Sequence, residues 1–167
     1  MRTENIKIRE GHENDLDQLM SIYENARKFM HSNGNMTQWN DGYPSEEILL
    51  RDIRDGNYFV GIDDKGEIAF CFTFIIGKDP TYTIIEDGKW LNDEPYGTIH
   101  RIASSGKYAR CLDKSLEFCF SRINNIRIDT HKENRPMLSA LERTGFIKCG
   151  VIYCRDGSPR EAFQKLI

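Results

Sequence analysis

Apolar residues recur along the chain in short blocks, some at every second position and others at every third or fourth, and the two kinds of block alternate. Ile6 and Ile8, set among charged residues, read as an opening strand. From Asp15 to Met30 the residues Leu16, Leu19, Met20, Tyr23, Ala26 and Phe29 keep helical spacing. His31 to Pro44 is rich in Asn and Gly and reads as a loop, although it carries Met36, Trp39 and Tyr43. Ser45 offers a hydroxyl to the start of a second helix, with Glu46 and Glu47 in its first turn and Ile48, Leu49, Leu50 and Ile53 as its buried stripe. Tyr58 to Ile62 and Glu67 to Ile76, joined by Asp63-Asp64-Lys65-Gly66, are dense in β-branched and aromatic residues and predict a hairpin in the middle of a sheet.

Lys78 to Tyr96 breaks this rhythm: it is polar, with Tyr82, Trp90 and Tyr96 scattered through it, and reads as a long excursion before Thr98 to Ser104 returns as a strand. Leu112 to Ile123 predicts a helix with Leu112, Leu116, Cys119 and Phe120 on one side, and Ile126 to Thr130 a short strand. In the segment Asn134 to Phe146, Met137, Leu138 and Leu141 are spaced as on a helix and Gly145 stops it. Phe146 to Tyr153 reads as a strand, and Ala162 to Ile167 as an edge strand. The order is α/β, with a strand-loop-helix-strand crossover at its centre.

Composition then narrows the classes of function. A chain of 167 residues, 39% hydrophobic, holds enough apolar surface for one ordinary core, so residues 1–167 are expected to form a single domain. A net charge of −3 with no block of like charges argues against a nucleic-acid partner. No apolar run approaches the roughly 18 residues that cross a bilayer, and the first residues are polar, so a cytoplasmic protein without a membrane partner is expected. Five cysteines without a Cys-x-x-Cys pair fit neither a disulfide framework nor a zinc knuckle; no metal is expected. Asn35-Met36-Thr37 matches a glycosylation sequon, which has no meaning without export.

The segment Asn-Arg-Pro-Met-Leu-Ser-Ala-Leu-Glu-Arg-Thr-Gly-Phe from Asn134 to Phe146 resembles the closing motif of the GNAT superfamily of N-acetyltransferases. Upstream, Tyr96 to Ser104 resembles that family's fourth strand, and Trp90 to Gly97, Ile128 to His131 and Cys149 to Tyr153 are similar to a bacterial subgroup. The resemblance spans nearly the whole chain. It implies an α+β fold with a mixed, mostly antiparallel central sheet of about six to seven strands, about four flanking helices, and splayed fourth and fifth strands. It further implies an enzyme that moves an acetyl group from acetyl-CoA to a primary amine of a small molecule or peptide by direct attack. The alternative is a catalytically silent module of the same fold that binds acyl-CoA or a protein partner. A homodimer is also open to members of the family.

By this resemblance the loop from Ser104 to Leu112, including Gly106, meets the pyrophosphate of acetyl-CoA, where small residues let backbone amides approach phosphate. Here the loop reads Lys107-Tyr108-Ala109-Arg110-Cys111-Leu112, so Arg110 and Leu112 fill positions that are usually small. The amides can still serve if those two residues are helical rather than left-handed, with Lys107, Arg110 and Lys114 adding positive charge. Ile102, Ala103 and Ser104 are implicated in bonding the pantetheine arm through their backbone. Asn134 either holds that arm with its side-chain amide or caps its own helix.

Acetyl transfer to an amine needs a base, donors for a developing oxyanion, and a proton for the departing thiolate. His100 is the candidate base: some family members carry His or Glu at this place, and strand alternation puts it on the same face as Thr98 and Ile102. A structural, hydrogen-bonded histidine is the competing reading. Many family members place a Tyr acid where this chain has Leu141, which leaves Tyr153 or solvent as the proton source. Cys111 has no base at a telling spacing and reads as a small apolar residue rather than a nucleophile. Trp39, Tyr43 and Trp90, with Tyr96, are candidates for the acceptor wall, and Glu86, Asp87, Asp93 and Glu94 make the excursion acidic. Rings covering the edge of the core would leave the same trace.

Overall fold

A computed structural model describes residues 5–39 and 42–167. Its seven strands are β1 (Lys7–Glu10), β2 (Tyr58–Ile62), β3 (Ile68–Ile76), β4 (Gly97–Ser104), β5 (Asn125–Thr130), β6 (Ile147–Tyr153) and β7 (Pro159–Leu166). They form one sheet in the order β1-β2-β3-β4-β5-β7-β6. The helices are α1 (Leu16–Ser32), α2 (Glu46–Arg54), α3 (Cys111–Phe120) and α4 (Arg135–Arg143). Every strand pair is antiparallel except β4 with β5, joined through α3 by the crossover expected from the sequence. The mixed sheet with four helices is therefore as expected.

The last strand is a correction. β7 is not an edge strand: it pairs with both β5 and β6, and β6 takes the edge. The misreading traces to Gln164, a polar residue that is fully buried because its amide donates to Asn125 Oδ1 at 2.7 Å and accepts the Leu91 N–H at 2.8 Å. Phe29, read as part of the buried stripe of α1, is 57% exposed, since that stripe narrows to Leu19, Ile22 and Tyr23.

Strand alternation separates two faces. On one, α1 and α2 cover Tyr58, Val60, Ile68, Cys71 and Ala103 with Leu19, Tyr23 and Leu49. On the other, α3 and α4 bring Leu112, Leu116 and Leu141 against Phe59, Phe72, Phe74, Ile99, Ile126 and Ile128. The excursion after β3 covers the first face over β5, β7 and β6, where Tyr82 and Tyr96 pack with Ile152 and Ala162. Polar contacts fasten it there: Asn92 Oδ1 accepts from Asn125 at 3.1 Å and Gln164 at 3.2 Å, and the Asn92 carbonyl accepts from Arg127 at 2.8 Å. A backbone bridge joins Glu86 to Val151, and Gly150 is required beside it because a Cβ there would lie 2.4 Å from the Glu86 carbonyl oxygen.

Helix α4 shows its local code at both ends. Asn134 Oδ1 accepts the Met137 N–H at 3.3 Å, satisfying one of the free donors of the first turn. At the other end Gly145, with φ of 88°, lets its own N–H reach the Glu142 carbonyl and the Phe146 N–H reach Leu141, closing a Schellman motif. Among the described residues no helix is long and apolar enough to cross a membrane, and no group of three or more His, Cys, Asp or Glu could hold a metal ion.

Candidate active site

β4 and β5 are paired only at Gly97 with Ile126 and Thr98 with Arg127. Beyond that they part, so from Ile99 to Ser104 the β5-facing edge of β4 has no strand partner. On its other edge β4 carries a bulge: Thr73 faces His100 while Cys71 faces Ala103, three steps on β4 against two on β3. Arg101 sits in this bulge with φ of 53°, a left-handed conformation that costs a non-glycine residue about 1 kcal/mol. Its guanidinium holds it there. Nε and NH2 donate to Asp52 Oδ2 at 2.9 and 2.7 Å, NH1 donates to the Tyr43 hydroxyl at 2.8 Å, and the Tyr23 hydroxyl donates to the Arg101 carbonyl at 2.6 Å.

The extra residue shifts the parity of the strand. His100 and Arg101 both reach toward the face of α1, α2 and the excursion, whereas Ile102 packs into the α3 and α4 core. The expectation that His100 and Ile102 share a face is thus overturned by the bulge, which simple alternation cannot contain.

His100 is half-buried, with Nε2 2.8 Å from Asp79 Oδ2. Asp79 is itself fixed: Oδ1 accepts both the N–H and the hydroxyl of Thr81, capping a 3-10 turn at Pro80–Tyr82, and its own N–H donates to the Tyr96 hydroxyl. Burial opposes ionisation of Asp79, but the hydrogen bonds from His100 and Thr81 outweigh it and bring the carboxyl down to about 2. A carboxylate can only accept, so the neutral His100 ring carries its proton on Nε2 and presents a lone pair on Nδ1, which has no partner among the described residues.

The β5 rim carries a second set. Extending the register from Thr98 and Arg127 puts Asp129 level with His100. Asp129 Oδ2 accepts the buried Tyr82 hydroxyl at 2.6 Å, and its other oxygen has no partner among the described residues. Two residues on, the Glu133 N–H donates to His131 Nδ1 at 3.1 Å, so Nε2 holds the proton and donates to Thr37 Oγ1 at 2.7 Å. Burial, and then the positive charge of Arg160, push the His131 imidazole below its ordinary range.

The loop between α1 and α2 is thereby fastened to both rims. Thr37 meets His131, Gln38 Oε1 accepts from Asn134 Nδ2 at 3.2 Å, and Tyr43 meets Arg101. The Trp39 ring lies edge-on to Tyr23 with centroids 5.4 Å apart. The α4 cap orients a row of amides: Asn134 must point Oδ1 at its helix and Nδ2 at Gln38, Gln38 Oε1 also accepts from Asn35 Nδ2, and Asn35 Oδ1 is left buried without a partner.

On the opposite side, the loop into α3 places Arg110 as the helix N-cap with φ of 58° and ψ of 34°. The requirement that both substituted positions be helical holds for Leu112 and fails for Arg110, because the chain needs a left-handed residue to turn into the helix. A left-handed residue followed by a helical first turn still lines up successive N–H groups. Those of Cys111, Leu112 and Asp113 have no backbone partner among the described residues. Gly106 and Lys107 donate their N–H groups to Ser104 and Ser105, and the Lys107 ammonium makes an exposed pair with Glu67 at 3.2 Å. Cys111 packs against Ser104 and donates to the Tyr108 carbonyl; burial raises its thiol, as a structural cysteine requires. Beside α3 a groove of about 480 Å³ is lined by Arg110, Asp113, Arg143 and Lys165.

Some candidates do not meet the others. Trp90 belongs to the cluster of Tyr82 and Tyr96, donates to the Tyr82 carbonyl and stacks over Arg127 at 4.2 Å, apart from Trp39 and Tyr43. Tyr153 ends the outermost strand, two strands beyond β5, and donates its hydroxyl to Glu86 Oε2 at 2.9 Å. Leu141 is fully buried in the core. Asp52, Asp79 and Asp129 are not among the site residues that the sequence suggests. For Asp79 a signal exists, since Asp-Pro-Thr is a good start for a short capped turn.

No family model matches the chain, and no curated protein matches it. Among solved structures, a GNAT-family acetyltransferase from Streptococcus agalactiae is 34% identical, with a TM-score of 0.88 over 100% of this chain and 98% of that one. A GNAT-family acetyltransferase from Listeria monocytogenes, at 18% identity, covers 97% of this chain and 95% of its own with a TM-score of 0.71. A phosphinothricin acetyltransferase from Sinorhizobium meliloti, solved in complex with acetyl-CoA, is 16% identical over 98% of this chain and 89% of its own, with a TM-score of 0.62. The last two share the fold alone. With a full-length relative at 34% identity and a TM-score of 0.88, the chain belongs to the GNAT family of acetyltransferases.

Proposed function

We propose that the protein transfers an acetyl group from acetyl-CoA to a primary amine of a small molecule or peptide by direct attack. The observation that carries this reading is the His100–Asp79 pair, set on the β4 bulge beside the gap between β4 and β5. An alkylammonium keeps its proton up to a pKa near ~10, so the amine must be deprotonated before it can attack. His100 Nδ1 accepts that proton. Asp79 fixes the ring and its tautomer.

Acetyl-CoA supplies an acyl group activated as a thioester, and the residues present fit it. The free edge of β4 at Ile102, Ala103 and Ser104 offers backbone groups to an extended amide arm, as an added strand would use them. The first-turn amides at Cys111 and Leu112, with Gly106, Lys107 and Arg110 around them, make an anion site. Asn134 spends one amide hydrogen on Gln38 and keeps the other for the arm. The acetyl-CoA held by the Sinorhizobium meliloti enzyme supports the same donor here. Backbone N–H groups of β4 at the bulge are the donors for developing negative charge.

Trp39 and Tyr43 wall the acceptor side, and Trp90 backs it through Tyr82. Tyr153 stays on Glu86, so water is the proton source for the product thiol. The buried free cysteines suit a reducing cytoplasm.

The test is release of free thiol from acetyl-CoA across amines, polyamines, amino acids and peptide N-termini, with the background of the protein's own thiols subtracted. Release that depends on an acceptor supports the reading. Binding of acetyl-CoA with no release for any acceptor points instead to the silent module.

A further inference from the structure

We infer that Asp129 is a specificity-determining residue that holds a second cationic group of the acceptor, so that diamines and similar aminoalkyl cations are preferred over simple amines and amino acids. This rests on the acyl-transfer reading and deepens it. Two observations lead there. First, Asp129 stands level with His100 across the gap, on the same face, and Tyr82 fixes one of its oxygens while leaving the other open. Second, no cationic side chain among the described residues is bonded to it. Arg101 is occupied by Asp52, Arg127 lies over Trp90 and Tyr96, and Arg160 donates to Ser158 and to the Pro159 carbonyl, while Asp79 is already committed to His100.

The reacting nitrogen cannot be what Asp129 holds. A carboxylate beside it would stabilise the ammonium and oppose loss of the proton to His100. A useful role for Asp129 therefore requires a cation elsewhere in the acceptor, where the charge persists through the reaction. The transfer itself is ordinary: the N–C bond forms, the C–S bond of the thioester breaks, and the proton leaves through His100 to water.

Three acceptors of one length separate the possibilities: 1,4-diaminobutane, n-butylamine and 4-aminobutanoate, whose far ends are cationic, neutral and anionic. The wild type is expected to use the diamine with kcat/KM about tenfold above n-butylamine, and 4-aminobutanoate least well. Asp129→Asn should bring the diamine to within about twofold of n-butylamine. Calorimetric titration of 1,4-diaminobutane in the presence of CoA should show the same weakening without any turnover, and acetyl-CoA affinity should not move. Asp129→Glu, which keeps the charge and displaces it, serves if the Asn variant does not fold; its diamine preference should fall as well. Equal use of the three acceptors, or a preference that survives Asp129→Asn, overturns the inference. Failure of every amine in the broader thiol-release screen would defeat the acyl-transfer reading instead, and the calorimetry would still decide whether Asp129 holds a diamine.

Discussion

The two rims of the opened sheet each carry a histidine facing the same side, and their neighbours give them opposite tautomers. On β4, a carboxylate sits on His100 Nε2 and frees the lone pair of Nδ1. Just beyond β5, a backbone N–H sits on His131 Nδ1 and commits Nε2–H to Thr37. One ring can take a proton from a substrate; the other is a donor already spent on fastening a loop. Both residues are imidazoles beside the gap, so the type of side chain does not separate them. What separates them is whether the nearest fixed partner accepts or donates.

The largest expected effect comes from the β4 rim. His100→Gln should lower kcat by a factor of ~10² to 10³ and leave the affinity for acetyl-CoA unchanged, which steady-state rates and calorimetry would show together. Unchanged turnover would remove His100 from the chemistry. Asp79→Asn should cost about ten- to a hundredfold, because an amide can donate to Nε2 and favour the proton on Nδ1. Nitrogen NMR of the imidazole would report that exchange of tautomer directly, a signal that a purely structural loss does not produce.

The difference between the rims also marks what the sequence can carry. Caps at Ser45, Asn134 and Gly145 are local, and the helices they bound appear where the spacing of apolar residues puts them. His100 is visible through resemblance, but its partner lies 21 residues earlier in a polar stretch that signals only a loop. That contact exists because the excursion folds back over β5 to β7, held by Asn92 and Gln164, two polar residues that mimic surface positions. The bulge at Arg101 is equally silent: nothing in a run of β-forming residues announces an arginine with positive φ, and the Asp52 that sustains it lies 49 residues earlier, on α2. Arg110 repeats the lesson at α3, since a large residue there suggests a relaxed turn and the chain keeps the left-handed one.

A smaller effect is thermodynamic. The Asp79 carboxyl is lowered from 3.8 to about 2 in the folded protein. Its unfolded form binds a proton first as pH falls, so the stabilisation is complete above about pH 5 and is lost as pH drops through about 4 toward 2. The amount is about 2 kcal/mol at most. Denaturant unfolding of the wild type and Asp79→Asn should therefore differ most near neutrality and converge toward pH 2. A constant gap would mean that the carboxyl is not held low.

The smallest effect belongs to the β5 rim. His131→Ala removes the donor to Thr37 and the acceptor for the Glu133 N–H, which should cost about 1 kcal/mol of stability. Because the loop stays attached through Gln38 on Asn134 and Tyr43 on Arg101, kcat should change by less than about threefold and the acceptor KM should rise modestly. Burial holds the folded His131 imidazole below its unfolded range, so acidification through about pH 6 should cost the wild type stability that the Ala variant does not lose, narrowing the gap between them. Rates for this variant and His100→Gln, measured side by side with the same amine, decide between the rims. Should His131→Ala abolish turnover while His100→Gln spares it, the roles are reversed and the proton leaves through β5.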